Sequence, residues 1–225
     1  MESNVKACII NASWGGWYHK GSDRLKQSLI YHGFHHDILI WKNEKINNYF
    51  DELQPYTIKL AALHEAINLG YTHILWLDSS VWALQNPEKI FDIINEEGGY
   101  FWKSGFNMAQ CSSDSDLAFA NWSRDYAETL PELSSSMFGL NLNNPNAKEF
   151  VKVFTEAKDY GVFGTSRYHD NGSSDSRFLH ARQDQTAASI AFYKSGFNKM
   201  YDPSIYSEYY SDNINKSVIF TMRGM

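Results

Sequence analysis

Two short runs hold the residues best suited to chemistry. In HILWLDSS, residues 73–80, Asp78 is the first charged residue after Ile74, Leu75, Trp76 and Leu77. A strand of this kind holds its carboxylate rigidly at a sheet edge, and ligands of open α/β sheets bind just beyond the carboxyl ends of strands. In the second run, residues 180–185, His180, Arg182 and Asp184 alternate directly after a polar stretch. Ionisable groups concentrated in this way mark a site. Asp184 and Gln185 would stand in the first turn of a helix, where exposed N–H groups favour anions. Plainer readings stand beside these: Asp and Ser commonly end strands by bonding nearby backbone N–H groups, and Asp stabilises many first helical turns. Arg24 and Lys59 are further cations on helices. An arginine offers a fixed fork to phosphate oxygens, while either residue also suits a solvated helix face. Trp14, Trp17 and Tyr18 present rings that stack on a base or sugar, or equally cover the core.

The first half of the chain contains the elements that must position these groups. Residues 5–11 read as a buried strand ending in the turn Asn11-Ala12-Ser13. Ser22 is expected to cap a helix carrying Leu25, Leu29 and Ile30 as far as Gly33. A second strand, 37–41, is followed by a helix that starts near Pro55, carries Ile58, Ala62, Ala66 and Leu69, and closes at Gly70. Residues 73–77 form the third strand, and Pro87 opens a helix with Ile90, Phe91 and Ile94. Strands alternating with amphipathic helices predict an α/β fold with a mixed, mostly parallel sheet flanked by helices.

The second half is less regular. Strands are expected at 100–102 and 137–142, and helices at 114–129, at 145–160 with Asn144 as cap, and at 183–194. The Gly- and Ser-rich stretch 161–180 has few periodic apolar residues, and loops of that length in compact domains are functional or mobile. The tail with Tyr206, Tyr209 and Tyr210 receives no element.

With 225 residues, 43% of them hydrophobic and 16% aromatic, the chain has enough apolar material for one domain with a real core, which excludes a disordered adaptor. Twenty basic against 26 acidic residues, a net charge of −6, argue against a broad grip on nucleic acid while allowing a local basic cleft. Cys8 and Cys111 show neither zinc-site nor disulfide spacing and fit a reducing compartment. The N-terminus lacks the pattern of a secretory signal, and no apolar run approaches the ~18 residues of a membrane span. The expected location is therefore the cytoplasm. No G-x-G-x-x-G or G-x-x-x-x-G-K-[ST] sequence occurs, which disfavours a nucleotidyltransferase or other phosphate-handling enzyme on a similar sheet.

The segment YTHILWLDSSVWALQNP, residues 71–87, resembles the region around the Asp-x-Asp motif of nucleotide-sugar glycosyltransferases with the GT-A fold. Residues 11–29 are similar to the first strand-to-helix turn of such enzymes, 54–80 to the helix before the acidic strand, and 174–197 to a late helix-opening segment. The resemblance reaches to about residue 199. It implies a single GT-A-like domain over 1–225, with a nucleotide-sugar-binding half at about 1–105, an acceptor-side half at about 106–200 and a tail at 201–225. The implied activity is transfer of a sugar from a nucleotide-sugar donor to a hydroxyl of a glycan, protein or other acceptor. Asn11, Ala12 and Ser13 would meet the base or ribose, and Arg24 and Lys59 the donor. Asp78, Ser79 and Ser80 would lie at the diphosphate, with Arg182 and Gln185 beside it.

In that superfamily the acidic motif holds Mn²⁺ or Mg²⁺. Here serine replaces the second carboxylate, so Asp78 and Ser80 would bind metal weakly, recruit His180, or act without metal while Arg182 and Arg167 balance the phosphate charge. Asp184 is the expected catalytic base or acceptor anchor; in a retaining reaction, Asp184 or Gln185 would lie near the donor sugar. The stretch 161–180 would serve as a lid, and Trp102 and Phe106 offer apolar faces to a sugar ring. Two other functions remain open: a binding module with a degenerate acidic motif, and a transferase acting on a modified DNA base, which requires a local positive surface.

Overall fold

The computed structural model describes residues 5–164 and 172–223. The first elements are β1 (Ala7–Ser13), α1 (Tyr18–Tyr31), β2 (Asp37–Lys42), α2 (Ile58–Asn68), β3 (His73–Leu77), β4 (Val81–Ala83), α3 (Glu88–Glu97) and β5 (Gly99–Tyr100). Then follow β6 (Lys103–Asn107), α4 (Met108–Cys111), α5 (Asp114–Ala120), α6 (Arg124–Glu128), β7 (Pro131–Leu133), β8 (Met137–Asn141) and α7 (Pro145–Tyr160). The last are α8 (Asp184–Lys194), β9 (Ser207–Tyr209) and β10 (Phe220–Met222).

The central sheet has the order β2-β1-β3-β8-β5. β1 runs parallel to β2 and β3, β8 is antiparallel to β3, and β5 is antiparallel to β8, so β8 alone is reversed. This is the mostly parallel α/β sheet expected from the alternation of strands and helices. Every residue of β1, β3 and β8 is buried, as in sheets covered on both faces.

Strand alternation divides the core in two. Cys8, Ile10, Ile74, Trp76, Phe138 and Leu140 face one layer with α2, α7 and α8. Ile9, Leu75, Leu77 and Met137 face the other, with α1 and α3. Close fit fixes where some residues must be small: a Cβ on Gly139 of β8 would lie 2.3 Å from Ile94 Cδ1.

Three expectations are corrected. The helix expected at 114–129 is two helices, because Asn121 turns left-handed (φ 60°) and ends α5. Asn tolerates that conformation better than most residues. Ser22 is not a cap: Gly15 and Gly16, both at positive φ, bend the chain early, α1 begins at Tyr18, and Ser22 lies buried within it. The tail is structured, since β10 pairs with β4 and β9 in a second small sheet, with β4 in antiparallel register. Pro87 and Asn144 begin α3 and α7 as expected, the latter accepting a bond from Asn146 N. Arg167 and part of the expected lid lie outside the described residues. Among the described residues no helix is long and apolar enough to cross a membrane.

Candidate active site

Asp78 is the first residue beyond β3, and its carbonyl closes a turn by accepting from Val81 N at 3.0 Å. Side chains two apart on a strand share a face, so Asp78 follows Trp76 onto the side covered by α2 and α8. The Trp76 indole N–H donates to Asp78 Oδ1 at 2.7 Å. From α2, which starts behind a 3₁₀ turn at Pro55–Thr57, Lys59 reaches the same point. Its ammonium lies 3.1 Å from Asp78 Oδ1 and 2.6 Å from Asp184 Oδ2, and donates to the Ser135 carbonyl at 2.7 Å. Ser135 Oγ lies 3.2 Å away as a further acceptor, so every ammonium proton has a partner. Ser135 Oγ donates to Asp184 Oδ2 at 2.7 Å, closing a ring of Lys59, Ser135 and Asp184 to which Asp78 is joined through Lys59.

Burial by itself would drive the Lys59 pKa down; Asp184 and Asp78 outweigh it and hold the group above the usual lysine range. For Asp78, burial dominates and pushes the carboxyl up, opposed by Lys59 and reinforced by Asp184. The arrangement is a buried cation clamped between two carboxylates at the carboxyl edge of the sheet.

Above it opens a cleft of about 450 Å³, lined by Ala12, Ser13, Lys59, Asp78, Ser79, Ser80, Arg182, Asp184 and Gln185 together with the rings of Trp14, Tyr18, Tyr56 and Trp76. Nine sequence-selected residues therefore meet in one place. The N-terminus of α8 faces this cleft, and its cap residue Gln183 adopts φ 45°, ψ −113° with no side-chain cap bond. Such backbone strain in a residue other than glycine costs on the order of 1–3 kcal/mol and gathers at functional sites.

Other selected residues take different roles. Asn11 is fully buried: its amide donates to the Leu77 carbonyl at 2.7 Å and accepts from Ser22 Oγ at 2.6 Å. It braces β1 against β3 and is not among the cleft residues. Arg24 stacks on Trp82, 4.1 Å from the ring centre, and donates to the Ser80 carbonyl at 3.0 Å, so it shapes the turn after Asp78. His180 lies edge-on to Phe106, its backbone N–H on the Gln110 carbonyl, and is not among the cleft residues. Burial and the neighbouring Arg182 lower its pKa. Trp102 is wholly buried. Asp78 and Ser80 are the selected metal ligands that do line the cleft.

Sequence reasoning missed Ser135, Gln183 and Glu132. Glu132 is fully buried and accepts from Ser104 Oγ at 2.6 Å and Gln185 Nε2 at 2.8 Å, while Gln185 Oε1 accepts from Ser135 N at 3.3 Å. Burial raises its pKa against the pull of Ser104 and Arg182. The signal available was Ser134-Ser135-Ser136, a polar triplet directly before an apolar strand.

A crystal structure of a glycosyltransferase involved in the glycosylation of the major capsid of PBCV-1 superposes with a TM-score of 0.53 at 13% identity, over 96% of this chain and 91% of that one. The apo structure of the bifunctional glycosyltransferase WbbM gives a TM-score of 0.57 at 12% identity, over 99% of this chain. The chain has a glycosyltransferase fold. It spans 46% of the WbbM chain. No family model matches the sequence, and no curated protein does. In open α/β sheets generally, the carboxyl edge, which here holds Asp78, is the expected ligand position.

Proposed function

We propose that the protein is a glycosyltransferase that binds a nucleotide-sugar in this cleft and passes the sugar to an acceptor hydroxyl. The observation that carries the reading is the convergence of Lys59, Asp78 and Asp184 at the carboxyl edge of a glycosyltransferase-fold sheet. Arg182 and the N-terminus of α8 place positive charge at the cleft, which suits a diphosphate, while Lys59 is neutralised by Asp78 and Asp184. Trp14, Tyr18 and Tyr56 supply ring faces for the base or sugar. Asp184, with Oδ2 held by Lys59 and Ser135, acts as a hydrogen-bond acceptor that orients a sugar or acceptor hydroxyl.

The donor set does not suit the divalent ion that the sequence resemblance implies. Asp78 Oδ1 is taken by Lys59 and Trp76, serine stands in place of the second motif carboxylate, and His180 packs on Phe106. Lys59 is already neutralised by Asp78 and Asp184, so charge on the departing diphosphate is assigned to Arg182 and the N-terminus of α8, which stabilise it as it develops.

A thermal-shift screen of UDP-, GDP-, CMP- and dTDP-sugars, with Mn²⁺ and with EDTA, tests this reading, since a bound donor raises Tm by mass action. One donor class should raise Tm equally under both conditions and release its nucleoside diphosphate or monophosphate when acceptors are added, with turnover lost in Asp78→Ala. If no donor shifts Tm under either condition, the reading fails. Binding without turnover across acceptors would instead favour a carbohydrate-binding module.

A further inference from the structure

At the opposite edge of the sheet, His35 and His36 immediately precede β2, beside Glu88 at the start of α3. Residue 37 is level with Cys8 and residue 42 with Ser13, so this cluster lies about five strand residues, roughly 17 Å, from the level of the cleft. His35 Nδ1 is 3.4 Å from Glu88 Oε1, and His36 Nε2 is 3.5 Å from Glu88 Oε2. One ligand atom from each of the three residues lies within 4.8 Å of the others, a grouping of His, Cys, Asp and Glu found nowhere else among the described residues.

These separations are long for hydrogen bonds, whose N–H···O distances are about 2.7–3.2 Å. Each is near the spacing of about 3.3–3.5 Å that bonds of about 2.0–2.1 Å place between neighbouring ligand atoms of one ion, with each imidazole facing its own oxygen of the Glu88 carboxylate. A second observation points the same way, because Glu88 Oε1 is shielded from solvent and has no hydrogen-bond partner.

The frame around the cluster is rigid. Asn86 accepts from Glu88 N at 3.0 Å and donates to the Gly33 carbonyl at 3.1 Å, tying the start of α3 to the loop that carries both histidines. Phe34 and Phe91 stack at 5.6 Å, and the His36 ring packs against both.

We propose that His35, His36 and Glu88 form a Zn²⁺ site, completed by water, that staples the α1–β2 loop to α3. Two imidazole nitrogens and one carboxylate suit a borderline ion such as Zn²⁺, whereas Mg²⁺ and Ca²⁺ select all-oxygen sets. The site owes nothing to the glycosyltransferase reading, and its expected effect is on stability.

Tag-free, EDTA-treated protein is titrated with Zn²⁺ by calorimetry and with Co²⁺ by visible absorption. One equivalent should bind, Co²⁺ should give the bands of a low-symmetry four-coordinate centre, and Zn²⁺ at a hundred times its Kd should raise Tm by about 5–10 °C. His36→Ala and Glu88→Ala alter partly exposed side chains, and each should lose the Co²⁺ bands and the Zn²⁺ shift while still unfolding in one cooperative transition. Absence of binding by the wild type, or binding of equal strength in both variants, overturns the proposal.

Discussion

Replacing Lys59 with methionine tests the architecture of the cleft most directly. Methionine keeps much of the buried stem and removes the charge. In the wild type Lys59 is 4% exposed, and its ammonium stands 3.1 Å and 2.6 Å from two carboxylates and donates to the Ser135 carbonyl. Without it, Asp78 and Asp184 face each other with no cation between them and the Ser135 carbonyl loses its partner. Removing one member of a buried ionic group costs about 3–5 kcal/mol, because the remaining charge is left uncompensated. At about 2–4 °C per kcal/mol for a chain of this size, Tm should fall by about 6–20 °C.

The pH dependence gives a sharper signature. The Lys59 pKa is raised, so its contribution is complete at neutral pH and disappears only when pH climbs through that raised value. In Lys59→Met the main influence that lowers Asp78 is gone and only the Trp76 hydrogen bond still opposes burial and Asp184, which raise it. The folded variant then holds a proton that the unfolded chain releases, so its stability falls as pH rises. Urea unfolding of both proteins should show a deficit that grows from pH 5 to pH 8. Adding Asp184→Asn should return about 1–3 kcal/mol relative to additivity, since it removes one of the repelling pair. A single-variant deficit below about 1 kcal/mol, identical at both pH values and additive with Asp184→Asn, would refute the reasoning.

Three other expectations concern the scaffold. Asn11→Ala takes the side-chain donor from the buried Leu77 carbonyl and one of three partners from the Ser22 hydroxyl, and should cost about 1–3 kcal/mol in urea unfolding, against little change if the amide were idle. Gly139→Ala forces a methyl against Ile94 and should destabilise by about 1–3 kcal/mol, a cost that Ile94→Val in the same chain relieves in part. Glu132 has a raised pKa, so wild-type stability should decline relative to Glu132→Gln as pH climbs above about 4.5, the ordinary glutamate value; urea midpoints that run parallel across pH 4.5–8 would contradict this.

The site was half legible in the chain. Asp78 could be read because a carboxylate directly after a buried strand has one place to go. Asp184, Gln185 and Arg182 were legible as a dense polar run opening a helix. Lys59 was ambiguous: on a helix of the pattern seen, a lysine faces solvent as readily as a cleft, and only the packing of α2 over β3 buries it. Asn11 lies within β1 and Arg24 within α1, bonded to the Leu77 and Ser80 carbonyls, and a one-dimensional reading does not tell the lining of a cleft from its supports.

The sequence by itself determined the alternation of strands and helices, the sheet class and the strand that ends in Asp78, because periodic burial and turn chemistry are local. Only the tertiary structure decided that β8 runs against its neighbours, that Ser135 on its approach meets α2 and α8, and that the tail completes a second sheet. These are contacts between residues far apart in the chain. A buried ammonium needs three acceptors at once, and no local pattern records that residues 59, 78, 135 and 184 supply the charge and its partners together.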